Sequence, residues 1–320
     1  MSSTQQTGGG ADAWLLTDGH AGNVRQAAAL AGALGLGASA PALVPRAPWR
    51  WLAPRRLPGA AQAFGEGFAA ALRQPPALAI GCGRQGALAT RLLREQGARV
   101  VQILDPRLDP RHWDVVVAPE HDGLRGANVL TLLGSLNPVD EAWLADAAHR
   151  FPALMDLPRP RTVLLVGGPT RHAPWRDDRL RHLLGVLAGR VRSEGGSLLA
   201  TVSRRTPATA RALLHRHLQG LPGLLWDGSG VNPYAGMLAC ADRIVCTPDS
   251  ANMLSEACAT AAPVHVADAG VAGGRIGSLV RALQARGRIR EAGGDLEPFA
   301  AEPLRETARI ATQLRQMLTS

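Results

Sequence analysis

The sequence predicts an α/β protein made of two Rossmann-like parallel-sheet domains that face a cleft. Short apolar runs alternate with longer helical patterns along the 320 residues. The runs are almost continuously apolar, which is typical of parallel strands covered by helices on both faces. A proline-rich segment at 151–161 divides the series into two similar halves. Ligands of such sheets bind beyond the carboxyl ends of the strands, so we expect a site between the halves.

The elements follow this alternation from one end of the chain to the other. Strands are predicted at 13–17, 77–81, 99–104, 114–118 and 128–133, then at 162–167, 197–203, 223–226, 242–247 and 263–267. Helical patterns lie near 23–35, 61–73, 84–97, 141–150, 176–194, 207–219, 233–241, 250–261, 275–287 and 303–318. The expected organisation is a disordered tail (1–11), a first Rossmann-like domain (12–155), a second Rossmann-like domain (160–290) and a helix (302–318) that packs back on the first domain.

The charge of the chain comes from arginine alone. There are 35 arginines, no lysine and 26 acidic residues, which gives a net charge of +9. A GC-rich coding bias is the simpler explanation of the arginine content, but the arginine guanidinium also forms bidentate hydrogen bonds with phosphates and carboxylates. The excess could therefore favour an anionic ligand or an acidic membrane surface. The arginines look scattered and do not alternate with aromatic residues, so nucleic acid is not an expected partner.

Cysteine and histidine spacing gives no sign of a metal centre. Cys82, Cys240, Cys246 and Cys258 form no C-x-x-C pair and sit in apolar or glycine-rich surroundings, so we expect buried free thiols in a reducing compartment. The nine histidines show no metal-binding spacing. Neither a metal nor a resident cofactor is predicted. Without a signal sequence or apolar span, the expected location is cytoplasmic, with peripheral contact at the inner membrane as an option.

Polar clusters of the first half follow the predicted strands. Asp18 and His20 come after the first strand, between glycines that let a ligand approach the backbone. His121 follows the fourth strand. These three residues are the candidates for acid–base chemistry. Capped turns or local Asx turns would explain them equally well.

The second half repeats this arrangement with residues suited to an anion. Gly167 and Gly168 follow its first strand, and Ser203, Arg204 and Arg205 follow its second. A glycine-rich turn can cradle a pyrophosphate, and two arginines at a helix start are unfavourable for the helix dipole unless an anion is present. A plain loop is the alternative for the glycines. Thr206 is predicted to cap the next helix.

Two further segments complete the predicted nucleotide site. The glycine-rich loop with Asn232 and the only tyrosine is a candidate contact for a base, and a structural turn is at least as good an explanation. After the strand at 242–247 come Asp249 and Ser250, and then a helix of small residues with one carboxylate, Glu256. The start of a helix favours phosphate, and an isolated carboxylate favours a hydroxyl partner such as a ribose.

The motifs together resemble the mitochondrial-fission, elongate-mitochondria (ELM1) family, of which this chain would be a bacterial member. The resemblance rests on Thr-Asp-Gly at 17–19 with Gly22 and Gln26, Gly-Cys-Gly-Arg at 81–84, Gln-Ile-Leu-Asp-Pro-Arg at 102–107, Pro-Glu-His-Asp at 119–122, Gly-Ala-Asn-Val at 126–129, Gly-Gly at 167–168, Ser-Arg-Arg-Thr-Pro at 203–207, Asn-Pro-Tyr at 232–234, Asp-Ser at 249–250 and Met-Leu-Ser-Glu-Ala at 253–257. Plant members are tied to recruiting a dynamin-type fission protein. Bacterial members are often labelled nucleoside-diphosphate-sugar epimerases.

More distantly, the second half is similar to the donor domain of GT-B glycosyltransferases. That resemblance implies that Glu256 binds the ribose and that Gly167, Gly168, Arg204 and Arg205 hold the pyrophosphate. Pro263 matches the proline after the helix, although Ala262 replaces the usual glycine.

That resemblance implies a metal-independent glycosyl transfer from a nucleotide-diphosphate sugar, used as substrate. The first half (12–155) would be the acceptor-side domain and the second half (160–290) the nucleotide-binding domain. We expect the acceptor to be lipid- or envelope-linked. Asp18, His20 or His121 would supply the base. The alternatives are an epimerase of the same fold and a non-catalytic adaptor.

Overall fold

The structure is a computed structural model that describes residues 13–293 and 296–319. Its strands are β1 (Ala13–Thr17), β2 (Ala38–Ser39), β3 (Leu78–Cys82), β4 (Arg99–Ile103), β5 (Val115–Pro119), β6 (Val129–Leu132), β7 (Arg161–Val166), β8 (Ser197–Val202), β9 (Gly223–Trp226), β10 (Arg243–Cys246), β11 (Val264–Val266) and β12 (Ile289–Glu291). The predicted tail, 1–11, lies outside the described residues.

The helices alternate with these strands. They are α1 (Ala21–Leu34), α2 (Trp49–Leu52), α3 (Glu66–Ala71), α4 (Gly83–Arg94), α5 (Glu141–Arg150), α6 (Pro152–Met155), α7 (Asp177–Glu194), α8 (Ala208–Leu218), α9 (Tyr234–Cys240), α10 (Ala251–Cys258), α11 (Gly274–Ala285) and α12 (Glu306–Thr319). No helix among the described residues is both long and apolar enough to cross a bilayer.

The strands form two six-stranded sheets in which every pairing is parallel. The first sheet has the order β2-β1-β3-β4-β5-β6, and the second has the order β12-β11-β10-β7-β8-β9. The strand order reverses between β1 and β3 in the first sheet and between β7 and β10 in the second. Ligands of doubly wound sheets bind at these switch points, beyond the carboxyl ends of the strands. The prediction of an α/β protein with two parallel sheets is confirmed.

The cores follow from the apolar strands that predicted the fold. In the first sheet one face packs Leu30 of α1 against Ile310 and Leu314 of α12, and the other packs Leu88 and Leu93 of α4. All five are buried. Burying a leucine or isoleucine side chain contributes about 1.5–3 kcal/mol, so these helices hold the sheet on both faces.

The chain divides into two compact units, each with one sheet. The first unit runs to Pro138 and also contains α12, and the second is Val139–Arg305. α12 is tied to the first unit because the Glu306 carboxylate accepts the Leu133 N–H at 2.8 Å. The stretch 139–155, predicted from sequence to end the first half, belongs to the second unit because α5 and α6 pack on α9.

Candidate functional site

The candidate site of the second unit lies where β7, β8 and β10 end. These strands are neighbours, so the segments that follow them meet at the switch point. Gly167 and Gly168 follow β7, the turn beginning at Ser203 follows β8, and Asp249 and Ser250 follow β10. The structure therefore brings together residues that are more than 80 positions apart in the chain.

The Asp249 carboxylate is the centre of this cluster. Its side chain is completely buried. Oδ2 accepts the Gly168 N–H at 2.8 Å, and Oδ1 accepts the Trp175 Nε1–H at 2.8 Å. Arg205 Nη2 lies 3.4 Å from Oδ2 while half of the Arg205 side chain stays exposed. A buried carboxylate costs free energy unless it is paired and hydrogen-bonded, and these three donors meet that need.

The two glycines are required by close contacts. A Cβ on Gly167 would lie 1.8 Å from Asp249 Oδ2, and one on Gly168 would lie 2.3 Å from the Arg205 carbonyl oxygen. The Gly167 N–H donates to Thr247 Oγ1 at 2.8 Å, as the Gly168 N–H does to Asp249. The N–H groups predicted to cradle a pyrophosphate thus have partners within the protein, and the glycines serve to let Asp249 approach β7.

The turn after β8 is ordered by hydroxyl groups. Thr206 Oγ1 accepts the Ser203 N–H at 2.9 Å and donates to the carbonyl oxygens of Val166 and Gly167. Ser203 Oγ accepts the Arg205 N–H at 3.1 Å. The prediction that Thr206 caps α8 is wrong, because that helix begins at Ala208 without a side-chain cap. The turn leaves the Arg204 and Arg205 side chains exposed, with Arg205 beside Asp249.

The start of α10 offers backbone donors at the same edge. Ser250 is its N-cap, and Ser250 Oγ accepts the Met253 N–H at 3.4 Å. One turn into the helix, the Glu256 carboxylate is buried and accepts the Tyr234 hydroxyl hydrogen bond at 2.6 Å. Asn232 Oδ1 accepts the Tyr234 N–H at 3.0 Å, which fixes the start of α9. Glu256 and Asn232 are therefore linked through Tyr234.

In the first unit, Asp18 sits at the switch point between β1 and β3. Asn23 Nδ2 donates to both of its carboxylate oxygens, at 2.9 and 3.0 Å, and His20 Nδ1 lies 3.0 Å from Oδ1. His20 is exposed, whereas Asp18 is mostly covered. Burial, together with the charge of Asp18, raises the pKa of the Cys82 thiol at the end of β3. Asp18 and His20 form one hydrogen-bonded pair.

His121 occupies a separate position. It lies in the short 3-10 turn Glu120–Asp122 after β5, three strands away from β1 in the sheet. Three inter-strand spacings separate the two strand ends, about 14 Å. Burial lowers the pKa of His121 and raises that of Asp122, and His121 Nδ1 is buried without a hydrogen-bond partner in the described residues. The structure does not bring His121 to the Asp18–His20 pair.

No group of three or more His, Cys, Asp or Glu residues in the described ranges is arranged to hold a metal ion. Metal-independent chemistry stays a prediction.

Three partners of the site were not predicted from sequence. Trp175, Thr247 and Tyr234 supply hydrogen bonds to Asp249, Gly167 and Glu256. Thr247 and Tyr234 stand in motifs that the sequence singles out. Trp175 follows Gly168 by seven positions with no pattern that would mark it.

Comparison with known proteins assigns the fold. The structure is similar to a putative UDP-N-acetylglucosamine 2-epimerase from Listeria monocytogenes, with a TM-score of 0.60, 13% identity and 97% of each chain covered. It is also similar to UDP-GlcNAc 2-epimerase from Methanocaldococcus jannaschii (TM-score 0.53, 13% identity, 95% and 99% covered) and to Acinetobacter baumannii MurG (TM-score 0.50, 16% identity, 96% and 92% covered). These likenesses place the fold in the GT-B type.

Sequence comparison assigns the family. The chain is 31% identical over 276 residues to mitochondrial fission protein ELM1 of Arabidopsis thaliana, and this match covers 77% of the chain. It is 23% identical over 234 residues to uncharacterized protein RP120 of Rickettsia prowazekii, a match that covers 60% of the chain. The matches span 64% of the length of each relative. The family described as Mitochondrial fission ELM1 matches residues 21–318. The chain therefore belongs to the mitochondrial fission ELM1 family.

Proposed function

We propose that this protein binds a nucleotide sugar at the carboxyl edge of its second sheet and transfers the sugar without a metal ion. The observation that carries the proposal is a set of three groups supplied by α10 and by the turn after β8. They are the N-terminus of α10, the exposed guanidinium of Arg205 and the buried carboxylate of Glu256. A helix start and an arginine suit a diphosphate, and a carboxylate suits the vicinal hydroxyls of a ribose.

Each predicted residue takes a defined role in this proposal. The diphosphate contacts the first turn of α10 at Ser250, with Arg204 and Arg205 as cations. The ribose binds Glu256, whose orientation is set by Tyr234 and, through it, by Asn232.

The remaining residues hold the shape of the site. Because Gly167 and Gly168 have no side chain, the Asp249 carboxylate and the turn after β8 can lie close to the backbone at the end of β7. Ser203 shapes the turn that presents Arg205.

The chemistry requires stabilisation of the leaving diphosphate and a base for the acceptor. The helix dipole and the arginines oppose the developing negative charge without a metal ion. Asp18, His20 and His121 remain the candidate bases, and their separation makes the Asp18–His20 pair and His121 two distinct hypotheses. A lipid- or envelope-linked acceptor and a cytoplasmic site of action complete the proposal.

An epimerase is the second candidate function. Two of the structural relatives are described as UDP-N-acetylglucosamine 2-epimerases, with TM-scores of 0.60 and 0.53. An epimerase of this fold would use the same nucleotide contacts and release a free sugar or its nucleotide rather than a glycosylated acceptor. Product analysis separates the two reactions.

The binding step is tested with a panel of UDP, GDP and their sugars in a thermal-shift assay. We expect stabilisation by at least one nucleotide, which Glu256→Gln removes. Glu306→Gln is the matched control, because Glu306 is also a largely buried carboxylate that accepts a backbone N–H, but it lies in the first unit. That variant should lower the melting temperature without changing the shift caused by the nucleotide.

Two outcomes would contradict the proposal. Absence of any shift at ligand concentrations well above millimolar would remove both enzymatic functions and leave the non-catalytic adaptor. An equal nucleotide shift in Glu256→Gln and wild type would remove Glu256 from the site.

A further inference from the structure

The first unit carries a concentrated apolar surface around Trp51. Among the described residues, three of the exposed large hydrophobic side chains fall within 44–52: Val44 (68% exposed), Trp51 (64%) and Leu52 (40%). All seven tryptophans lie in the described part of the chain, and Trp51 is the one that is exposed. We call Val44, Trp51 and Leu52, with the arginines beside them, the Trp51 surface.

The segment that carries this surface is basic. From 19 to 65 the sequence contains five arginines and no acidic residue. Arg46, Arg50 and Arg55 are exposed next to the apolar side chains, while Arg56 pairs with Glu95 at 3.0 Å. Arginine is no more frequent here than in the rest of the chain, but within 19–65 no acidic residue offsets it, and three of the arginines stand beside exposed apolar groups.

The segment that carries the surface is held by its backbone. Arg84, near the start of α4, donates to the carbonyl oxygens of Trp51 and Ala53, and Arg91 donates to that of Pro54 at 2.9 Å. These bonds satisfy the backbone of 51–54 and leave the Trp51 and Leu52 side chains in solvent. The start of α4 follows β3, so the surface lies by the carboxyl edge of the first sheet, near Asp18.

We propose that the Trp51 surface docks this protein on an anionic lipid surface. Tryptophan favours the interface between headgroups and acyl chains, and arginines beside it are attracted to anionic lipids. Two such signals together are what stable, reversible peripheral binding requires.

Lipid suits this surface better than two other occupants. Three apolar side chains are few for a protein partner, since a standard interface buries about 800 Å² per partner. Single-stranded nucleic acid would use a series of aromatic stacking platforms, whereas the neighbours of Trp51 are aliphatic.

Vesicle co-sedimentation with the full chain tests this proposal. We expect binding to phosphatidylcholine vesicles that contain about 30% phosphatidylglycerol, much weaker binding to pure phosphatidylcholine, and loss of binding as salt rises. Trp51→Ser should weaken binding by at least about tenfold. Replacing Arg46, Arg50 and Arg55 by glutamine should weaken it by about fivefold each, on the order of a hundredfold together.

Matched controls exclude a general effect of the substitutions. Val231→Ser removes a side chain that is 81% exposed in the second unit, and Arg216→Gln removes an exposed arginine of α8. Neither should change vesicle binding. Trp51→Phe should retain most of the binding but lose the blue shift of tryptophan fluorescence that wild type shows with anionic vesicles.

Three results would overturn the proposal. The first is absence of binding to anionic vesicles. The second is binding that Trp51→Ser leaves unchanged. The third is occupancy of the surface by something else, seen as a Trp51-dependent dimer in sedimentation velocity or as Trp51-dependent binding of single-stranded oligonucleotide, without vesicle binding. Vesicle binding needs no nucleotide, so its failure is distinguishable from failure of the proposed function.

Discussion

Replacing Gly167 by alanine should destabilise the second unit by about 3 kcal/mol or more. The new Cβ would lie 1.8 Å from Asp249 Oδ2 and 2.5 Å from its Cγ, so the buried carboxylate must move. Overpacking of this kind costs about 1–3 kcal/mol. Displacing the carboxylate also weakens its hydrogen bonds with Gly168 and Trp175, and a bond to a charged group is worth about 1.5–3 kcal/mol.

Equilibrium urea unfolding of matched variants measures this cost. Gly185→Ala is the control, because Gly185 lies inside α7 with open space around its Cβ position. Alanine there should stabilise by up to about 1 kcal/mol through helix propensity. Asp249→Ala should destabilise by a few kcal/mol, since it leaves buried N–H donors without an acceptor.

The double variant Gly167→Ala/Asp249→Ala provides the decisive comparison. Removing the carboxylate relieves the clash, so the combined loss should fall short of the sum of the single losses by at least about 1 kcal/mol. Strict additivity, or a Gly167→Ala protein as stable as Gly185→Ala, would refute the idea that close approach of Asp249 dictates the glycine.

Three further predictions concern hydrogen bonding and titration. Tyr234→Phe removes the hydroxyl that donates to the buried Glu256 carboxylate. It should lower the free energy of unfolding, measured in urea, by about 1.5–3 kcal/mol. A decrease of less than about 0.5 kcal/mol would contradict that role. Hydrogen bonds from Arg243 lower the pKa of Glu194 in the folded protein. The Glu194 carboxylate therefore stabilises the fold above its unfolded-state pKa, near 4.5, and this stabilisation is lost as the pH falls through the folded-state pKa. Unfolding at about pH 7 and about pH 4 should therefore show a smaller acid-induced loss in Glu194→Gln than in wild type, and an equal loss would exclude that contribution. Burial raises the pKa of Cys258 to about 12, and all four cysteines are buried. Iodoacetamide should therefore label none of them in the native protein and all four after unfolding. Labelling of the native protein, detected by mass spectrometry, would contradict the burial.

The sequence predicts most of the strands because burial on both faces leaves a direct signal. β7 and β8, for example, are continuous runs of buried side chains. β2 has two exposed residues, and β12 buries only Ile289, so neither has an apolar run to recognise. The place of α5 could not be read locally, because it depends on contact with α9, nearly 90 residues further along the chain.

The candidate site is predictable in position but not in its internal contacts. Parallel strands end at one edge, so Gly167, Ser203 and Asp249 are bound to meet when the strand order is right. Which donor satisfies which acceptor is a matter of three-dimensional packing. Trp175 reaches Asp249 across 74 positions, and Thr206 bonds back to β7 instead of capping α8. Short-range patterns carry no information on either contact.

The proposed roles of Arg205 and Glu256 are tested most directly by a crystal structure of the protein with UDP bound. The proposal predicts the diphosphate in hydrogen-bond contact with the Arg205 guanidinium and the first turn of α10, and a ribose hydroxyl on the Glu256 carboxylate. UDP bound elsewhere, or no bound UDP at concentrations that saturate a thermal-shift response, would contradict the assignment of this site.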